Sequence, residues 1–560
     1  MRRQWRRVGI AAVAALALAA SAYGAQSSKA EQSGKAGTGG TLILLAKAAP
    51  SGSPDPQIDY TLQEWQLLID THDGLLAFRR VGGKAGTDLV PDLATSIPKP
   101  QDGGKTYTFT LRKGIKYSDG TTLKATDVTR TFERMFAVHG PTAGTFYKVI
   151  VGADACLKKP ATCNLSKSVV ANNAKGTVTF HLTNPDSEFF DKLAVPFAFI
   201  LPPSTPMKEV HIPPAGTGSY MWSEYNPNKE MKLVRNPHFK EWSAAAQPKG
   251  NPDVIVEKFG LTVEAEVTQV ENGQADWVFD QVPSDRLPEL STKYASQVHV
   301  NPLTAVNYFA FNVRVPPFNN VKARQAVNLA TDRNALVKIY GGPKLAVPTC
   351  QVLPPNFPGY KPYCPYTKNP GTKWSAPDMA KAQALVKASG TKGMTVKVTT
   401  QTTEVEKGYG LYFVGLLNKL GYKAKLQALS PDIEYPYCQN SKNKVQFCWS
   451  TWYQDYPAAS DFINILLGCG SYVPNSNASP NISEFCQKGI QSKIDEALKT
   501  GVTNPDAANE LWARIDHQLV DQAPWLSMFN PKYLDFVSKR VTGYQFNPQW
   551  YMLIDQLSVQ

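Results

Sequence analysis

Residues Thr106–Phe136 read TYTFTLRKGIKYSDGTTLKATDVTRTFERMF. Tyr107, Phe109 and Leu111 alternate with Thr108, Thr110 and Arg112, the two-residue period of a strand with one face buried. Ser118-Asp119-Gly120-Thr121 follows, a hydroxyl beside a carboxylate with no histidine close in sequence. It reads as a turn, because Asp and Gly suit the dihedrals a tight corner needs. Val128, Phe132, Met135 and Phe136 then recur at i, i+4, i+7 and i+8, the apolar stripe of a helix. Asp127 sits in its first turn, where a negative charge suits the helix dipole.

Strands and helices alternate elsewhere too. GGTLILLA at 39–46, GTVTFHL at 176–182 and MTVKVTTQ at 394–401 read as strands. AKAQALVKAS at 380–389 and LYFVGLLNKLGY at 411–422 read as helices, and KARQAVNLATDRNALVKIYGG at 322–342 as one helix stopped by Gly341-Gly342. The pattern predicts an α/β protein. A length of 560 residues exceeds what one core supports, so two or three domains are expected.

The first residues stand apart. Arg2, Arg3, Arg6 and Arg7 precede an apolar run from Val8 to Ala22 and then small residues, the pattern of an export signal over 1–25. The alternative is a retained anchor, but the run is short for a spanning helix. Residues 26–39 are small and polar, a flexible linker. No Cys lies near the cleavage region, so no N-terminal lipid is expected there. The net charge of +13 includes those four arginines and is otherwise scattered, without the basic-aromatic stripe of a nucleic-acid binder. Eight cysteines suit an oxidising compartment. Short loops cost least to close, which favours local disulfides: Cys156 with Cys163, Cys350 with Cys364, Cys438 with Cys448, and Cys469 with Cys486.

Catalytic patterns are missing. The seven histidines lack metalloprotease spacing, no GxSxG elbow occurs, and GGKT at 103–106 has Lys99 where a phosphate loop needs glycine. No cofactor or metal is expected. A glycosidase stays open, because paired carboxylates need no fixed spacing. FCWSTWYQDYPAASDFINILLGCG, Phe447–Gly470, is unusual in packing Trp449, Trp452, Tyr453 and Tyr456 around Asp455. A buried strand with a turn aspartate would explain it. So would a cleft in which aromatic faces cover apolar groups and one carboxylate meets a cation.

The chain resembles the family 5 extracellular solute-binding proteins, the oligopeptide- and dipeptide-binding group of ABC importers. The resemblance rests on DGLL (73–76), LVPDLATS (89–96), GGKTYTFTLRKGIKYSDGTTLKATDV (103–128), GTGSYMW (216–222), LVRNPHFKEW (233–242), GNPDVI (250–255), NYFAFNVRVPPFNNVKARQAVNLATDR (307–333), WYQDYPAASDF (452–462) and QAPWLSMFNP (522–531), in that order. It implies a two-lobed periplasmic-binding-protein fold of type II with an extra inserted domain and a ligand cleft between the lobes. Lobe I would comprise 40–73, 212–312 and 525–560, the inserted domain 74–211, and lobe II 313–524.

The resemblance further implies a periplasmic or extracellular monomer that captures peptides for an ABC permease and ATPase, without catalysis. Nickel chelates, haem and oligosaccharides are alternative ligands within the family, and a secreted hydrolase is the alternative outside it. Asp455 matches the aspartate that grips a peptide α-ammonium, and Trp452 and Tyr453 match the adjoining wall. Tyr308 matches an aromatic lining the cleft, and Tyr60 and Phe146 fall near other pocket positions. Trp449 stands where some oligopeptide binders carry an arginine for the peptide carboxylate. Lys124 replaces the usual Ser/Thr ahead of the helix, weakening a capping box.

Overall fold

A computed structural model describes residues 39–560 except Ser51; the expected signal and nearly all of the linker lie outside the described residues. The opening stretch folds as read. Thr106–Thr110 is a strand with Tyr107 and Phe109 buried and Thr108 and Thr110 exposed. It pairs antiparallel with Thr177–His181, which pairs in turn with Val169–Asn172. Asp119 Oδ1 accepts from the backbone N–H (2.9 Å) and hydroxyl (2.6 Å) of Thr121, and Gly120 takes φ 85°, so the turn is made by the residues that announce it. The helix Ala125–Ala137 buries Val128, Phe132, Met135 and Phe136 against this small sheet. Half of a capping box survives Lys124: the Asp127 carboxylate accepts the Lys124 N–H at 2.9 Å and the Tyr117 hydroxyl at 3.1 Å.

Two larger sheets form most of the rest, beside three two-stranded pairs among the described residues. In the first, Thr41–Ala46 lies parallel between Trp277–Val278 and Val254–Phe259, and the order continues antiparallel through Glu230–Arg235 to Tyr220–Asn226. In the second, the order is Val298–Pro302, Trp525–Phe536, Ala305–Phe311, Phe447–Tyr453, Thr395–Gln401 and Lys423–Leu429, with Ala346–Pro348 also paired to Trp525–Phe536. The last three strands of that order are mutually parallel, as crossover helices demand. The strands Ala305–Phe311 and Trp525–Phe536, which flank the expected boundaries at 312/313 and 524/525, both belong to this second sheet. A bridge from Trp277 to Val537 joins the two sheets at one end of the twelve-residue strand.

The expected single helix over 322–342 is instead two, Val321–Ala330 and Arg333–Tyr340. Thr331 turns its hydroxyl back to Val327 O at 2.7 Å, and Asp332 caps the second helix by accepting from Asn334 N and Ala335 N. The break aims the buried Arg333 guanidinium at the carbonyls of Thr349 and Ser527. Gly341 ends the second helix at φ 127°, as read.

The four cysteine pairs close locally, as expected. Cys156 is bonded to Cys163 and Cys350 to Cys364. Cys438 is bonded to Cys448 and Cys469 to Cys486. Cys163 is half-buried beside a short helical turn, whereas Cys364 is buried, so the pairs staple surface and interior alike. The third bond ties the helix Pro431–Gln439 to the strand Phe447–Tyr453. The fourth secures the loop that follows the helix Ala459–Leu467, with the exposed Cys486 at its far end.

Candidate functional site

Phe447–Tyr453 pairs antiparallel with Ala305–Phe311 along its whole length, which buries its first half and delivers Trp452 and Tyr453 to its open end. The chain then leaves the sheet at Gln454 and Asp455 and enters the helix Ala459–Leu467. Asp461, in the first turn of that helix, clamps the corner: its Oδ2 accepts both the Asp455 N–H at 3.0 Å and the Trp452 indole N–H at 3.3 Å. The C-terminal segment braces it from the other side. Gln549 donates its amide to Asp455 O at 2.6 Å, and Gln454 donates to Pro548 O at 2.8 Å and Gln549 Oε1 at 2.9 Å.

The Asp455 residue is 5% exposed. The Tyr60 hydroxyl donates to its Oδ2 at 2.5 Å, and among the described residues no Lys, Arg or His lies within 4.0 Å of it. Burial without a cation pushes the carboxyl up to about 7, and hydrogen bonds with Tyr60 and with the neighbouring Asp461 carboxyl pull the other way. Asp461 is raised further, because burial is joined by repulsion from Asp455.

This corner opens on a cavity of about 980 Å³. Tyr60, Trp449, Trp452, Tyr453 and Asp455 all line it, five of the seven ligand-contacting residues expected from the sequence. Tyr60 and Tyr453 are 40% and 41% exposed, offering ring surface to the space. Tyr60 packs edge-on against Trp452 and Phe197, with ring centroids 6.4 and 5.2 Å apart. The charged side chains in the lining are Asp280, Glu434, Asp455 and Lys148, and Lys148 faces Asp154 at 3.7 Å.

Tyr308 and Phe146 lie away from the cavity lining. Tyr308 is fully buried behind the wall, opposite Ser450 in register and stacked on Trp525 at 3.8 Å. Phe146 is buried against Tyr456 and Phe197 at 5.2 and 6.0 Å. Neither is among the lining residues, and both pack behind them. The structure adds residues that sequence reasoning missed: Gln401, Glu434, Tyr435, Gln549 and Tyr551. Tyr551 holds a φ of 62°, a conformation that bulky residues adopt only where the surroundings compel it. Trp449 Nε1, Gln454 Oε1 and Tyr551 Oη are buried in the lining without partners. Among the described residues, the one close group of three possible metal ligands is Glu434, Cys438 and Cys448, and its two sulfurs are bonded to each other.

Comparison with known proteins places these features in a family context. The sequence model of the bacterial extracellular solute-binding proteins, family 5 Middle, matches residues 88–473. The chain is similar to the dipeptide-binding protein of Escherichia coli (strain K12), 26% identical over 536 residues that cover 91% of this chain and 92% of the relative. Its fold is similar to that of clavulanic acid biosynthesis oligopeptide binding protein 2, with a TM-score of 0.83 at 24% identity, covering 93% of this chain and 96% of the other. It is also similar to the Helicobacter pylori periplasmic binding protein DppA in complex with the peptide STSA, with a TM-score of 0.74 at 19% identity and coverage of 93% and 98%. The α/β, two-lobed architecture expected from the sequence is therefore the observed one.

Proposed function

Because the chain belongs to the bacterial extracellular solute-binding proteins of family 5, we propose that its cavity captures peptides outside the cytoplasm, by their free amino end, for an ABC permease. The observation that carries this reading is Asp455, a buried carboxylate on the cavity wall with a hydroxyl donor and no cation of its own. An α-ammonium supplies both the missing charge and the hydrogen-bond donors, and charge-assisted bonds of this kind are the strong ones. The aromatic faces of Tyr60, Trp452 and Tyr453 cover apolar atoms beside it without fixing their identity. The partnerless Trp449 Nε1, Gln454 Oε1 and Tyr551 Oη offer hydrogen bonds to a peptide backbone. The cavity volume lies at the upper end of the usual range for small-ligand sites, about 300–1,000 Å³.

In this reading the protein acts by closing. The five-stranded sheet falls in the expected first lobe, while the seven-stranded sheet joins the first-lobe segments 298–311 and 525–536 to strands of the expected second lobe. Tyr60, from the segment after the first strand, meets Asp455, beyond the second-lobe strand, so the site is complete only when the lobes are together. Ligand binding then favours the closed form that the permease engages.

The two ends of the peptide are treated unequally. Trp449 supplies no charge, and Lys148, the one cation in the lining among the described residues, already faces Asp154. Acetylating the amine of a bound peptide is expected to weaken it by about thirtyfold or more, the effect of stranding a buried charge. Amidating its carboxylate is expected to change affinity by less than about fivefold, because no buried cation is left unpaired. Calorimetry on the acetylated and amidated forms of one peptide checks both. Equal losses at the two ends would overturn the amine anchor.

A further inference from the structure

We propose that Glu434 is a second cation anchor in the same cavity, and that the peptides this protein prefers carry a basic side chain in addition to their free amine. The inference rests on the reading of Asp455 as the amine anchor and specifies what the rest of the cavity selects.

Glu434 is on the helix Pro431–Gln439, lines the cavity, and is 1% exposed. Its Oε2 has no hydrogen-bond partner. Its Oε1 lies 2.9 Å from Cys448 Sγ and 3.6 Å from Cys438 Sγ, but these sulfurs form a disulfide and carry no proton to donate. A buried carboxyl left short of donors is costly, and natural interiors rarely keep one without a use. No protein cation meets the need: among the described residues no Lys, Arg or His lies within 4.0 Å of Glu434. The disulfide fixes the arrangement, since it ties the helix carrying Glu434 to the strand carrying Trp449 and Trp452.

The neighbours suit a cation with an alkyl or planar stem. Tyr435, Trp449 and Gln401 line the same cavity, and aromatic faces attract ammonium and guanidinium groups as they cover the carbons behind them. The charge balance agrees: three carboxyl groups line the cavity against one lysine that already faces an acid. Burial pushes the Glu434 carboxyl up to about 8; the nearby Gln401 side chain, which makes no hydrogen bond of normal geometry to it, draws it down, and Glu406 adds repulsion. An arriving ammonium or guanidinium restores the ionised state that burial disfavours.

The test is calorimetry with three pairs of tripeptides, alanine throughout except for lysine or norleucine at the first, second or third position. Each is titrated into the wild-type protein and into Glu434→Gln, whose native packing is checked by near-ultraviolet circular dichroism. In the wild type, lysine is expected to exceed norleucine by about ten- to a hundredfold at one position. In Glu434→Gln that ratio is expected to fall to within about twofold of unity, since the amide keeps the shape and loses the charge. Absence of a lysine preference at every position, or a preference that survives Glu434→Gln, overturns the second anchor while leaving peptide capture standing. Failure of all six peptides to bind the wild type retires peptide capture and the second anchor together.

Discussion

Replacing Asp455 by Asn is expected to weaken peptide binding by about 2–5 kcal/mol, roughly thirty- to several-thousandfold, the scale for removing one partner of a buried charge pair. Asn keeps the side chain's size and can still accept from Tyr60, so the loss isolates the charge. The same substitution is expected to have the opposite effect on folding. The Asp455 carboxyl is raised to about 7 in the folded protein, chiefly by burial. A raised acid favours folding below its unfolded value, about 3.9, and loses that contribution as the pH rises through the folded value. The ligand-free variant should therefore gain stability over the wild type as the pH climbs from about 5 to 8. Denaturant melts at the two pH values, set beside calorimetry, separate a binding role from a structural one. Lower stability at pH 8 together with intact binding would mean that Asp455 merely holds the corner. Asp461 is the control for that structural role, since its Oδ2 accepts both the Asp455 N–H and the Trp452 indole.

The largest stability effect is expected at Arg134. This guanidinium is 0% exposed and fills its bonding capacity. It donates to Asp55 Oδ1 at 2.9 Å, Gln57 Oε1 at 2.6 Å, and the carbonyls of Pro206 and Lys208 at 2.6 and 2.8 Å, with a further bond to Asp55 Oδ2. Asp55 in turn accepts from Gln57 N and Val210 N at 3.1 Å each. One side chain on the helix Ala125–Ala137 thereby ties down the segment leading to Tyr60 and the loop at 205–210. Arg134→Met leaves Asp55 charged and buried, at an expected cost of about 3–5 kcal/mol. Arg134→Lys should recover only part of this, since a compact ammonium cannot reproduce the fork. The midpoint of the first denaturant transition measures both. A loss below about 1 kcal/mol for Arg134→Met would show that the loop is held by other contacts.

What the sequence revealed followed locality. The strand, turn and helix of 106–136 were legible because each depends on near neighbours: a two-residue period, an aspartate bonding two residues on, a stripe at helical spacing. The cysteine pairs were legible because closing a short loop costs least. The break at Thr331-Asp332 was hidden, since the apolar pattern runs on across it and the Asp332 N–H is taken by the Tyr412 hydroxyl, a residue distant in sequence. In the site, Asp455 and its flanking aromatics stood out because one short segment holds them all. The burial of Tyr308 and Phe146 was not legible, because whether a strand or loop aromatic faces a cavity depends on its packing partners, here Trp525 and Tyr456. Glu434, Gln549 and Tyr551 arrive from separate elements and carry no local mark. The nearest to a signal was the cluster NPQWYM at 547–552, polar and aromatic after a proline turn.

The central claim is that this cavity holds a peptide by its free amine. Its most direct test is mass spectrometry of the small molecules released when the protein, purified from its own exported fraction, is denatured. Peptides with unblocked amino ends are the expected result, and their lengths would report how the cavity is filled. A sugar, a haem, a metal chelate or an amino-blocked compound as the dominant released molecule would contradict the claim and remove Asp455 from its role as the anchor.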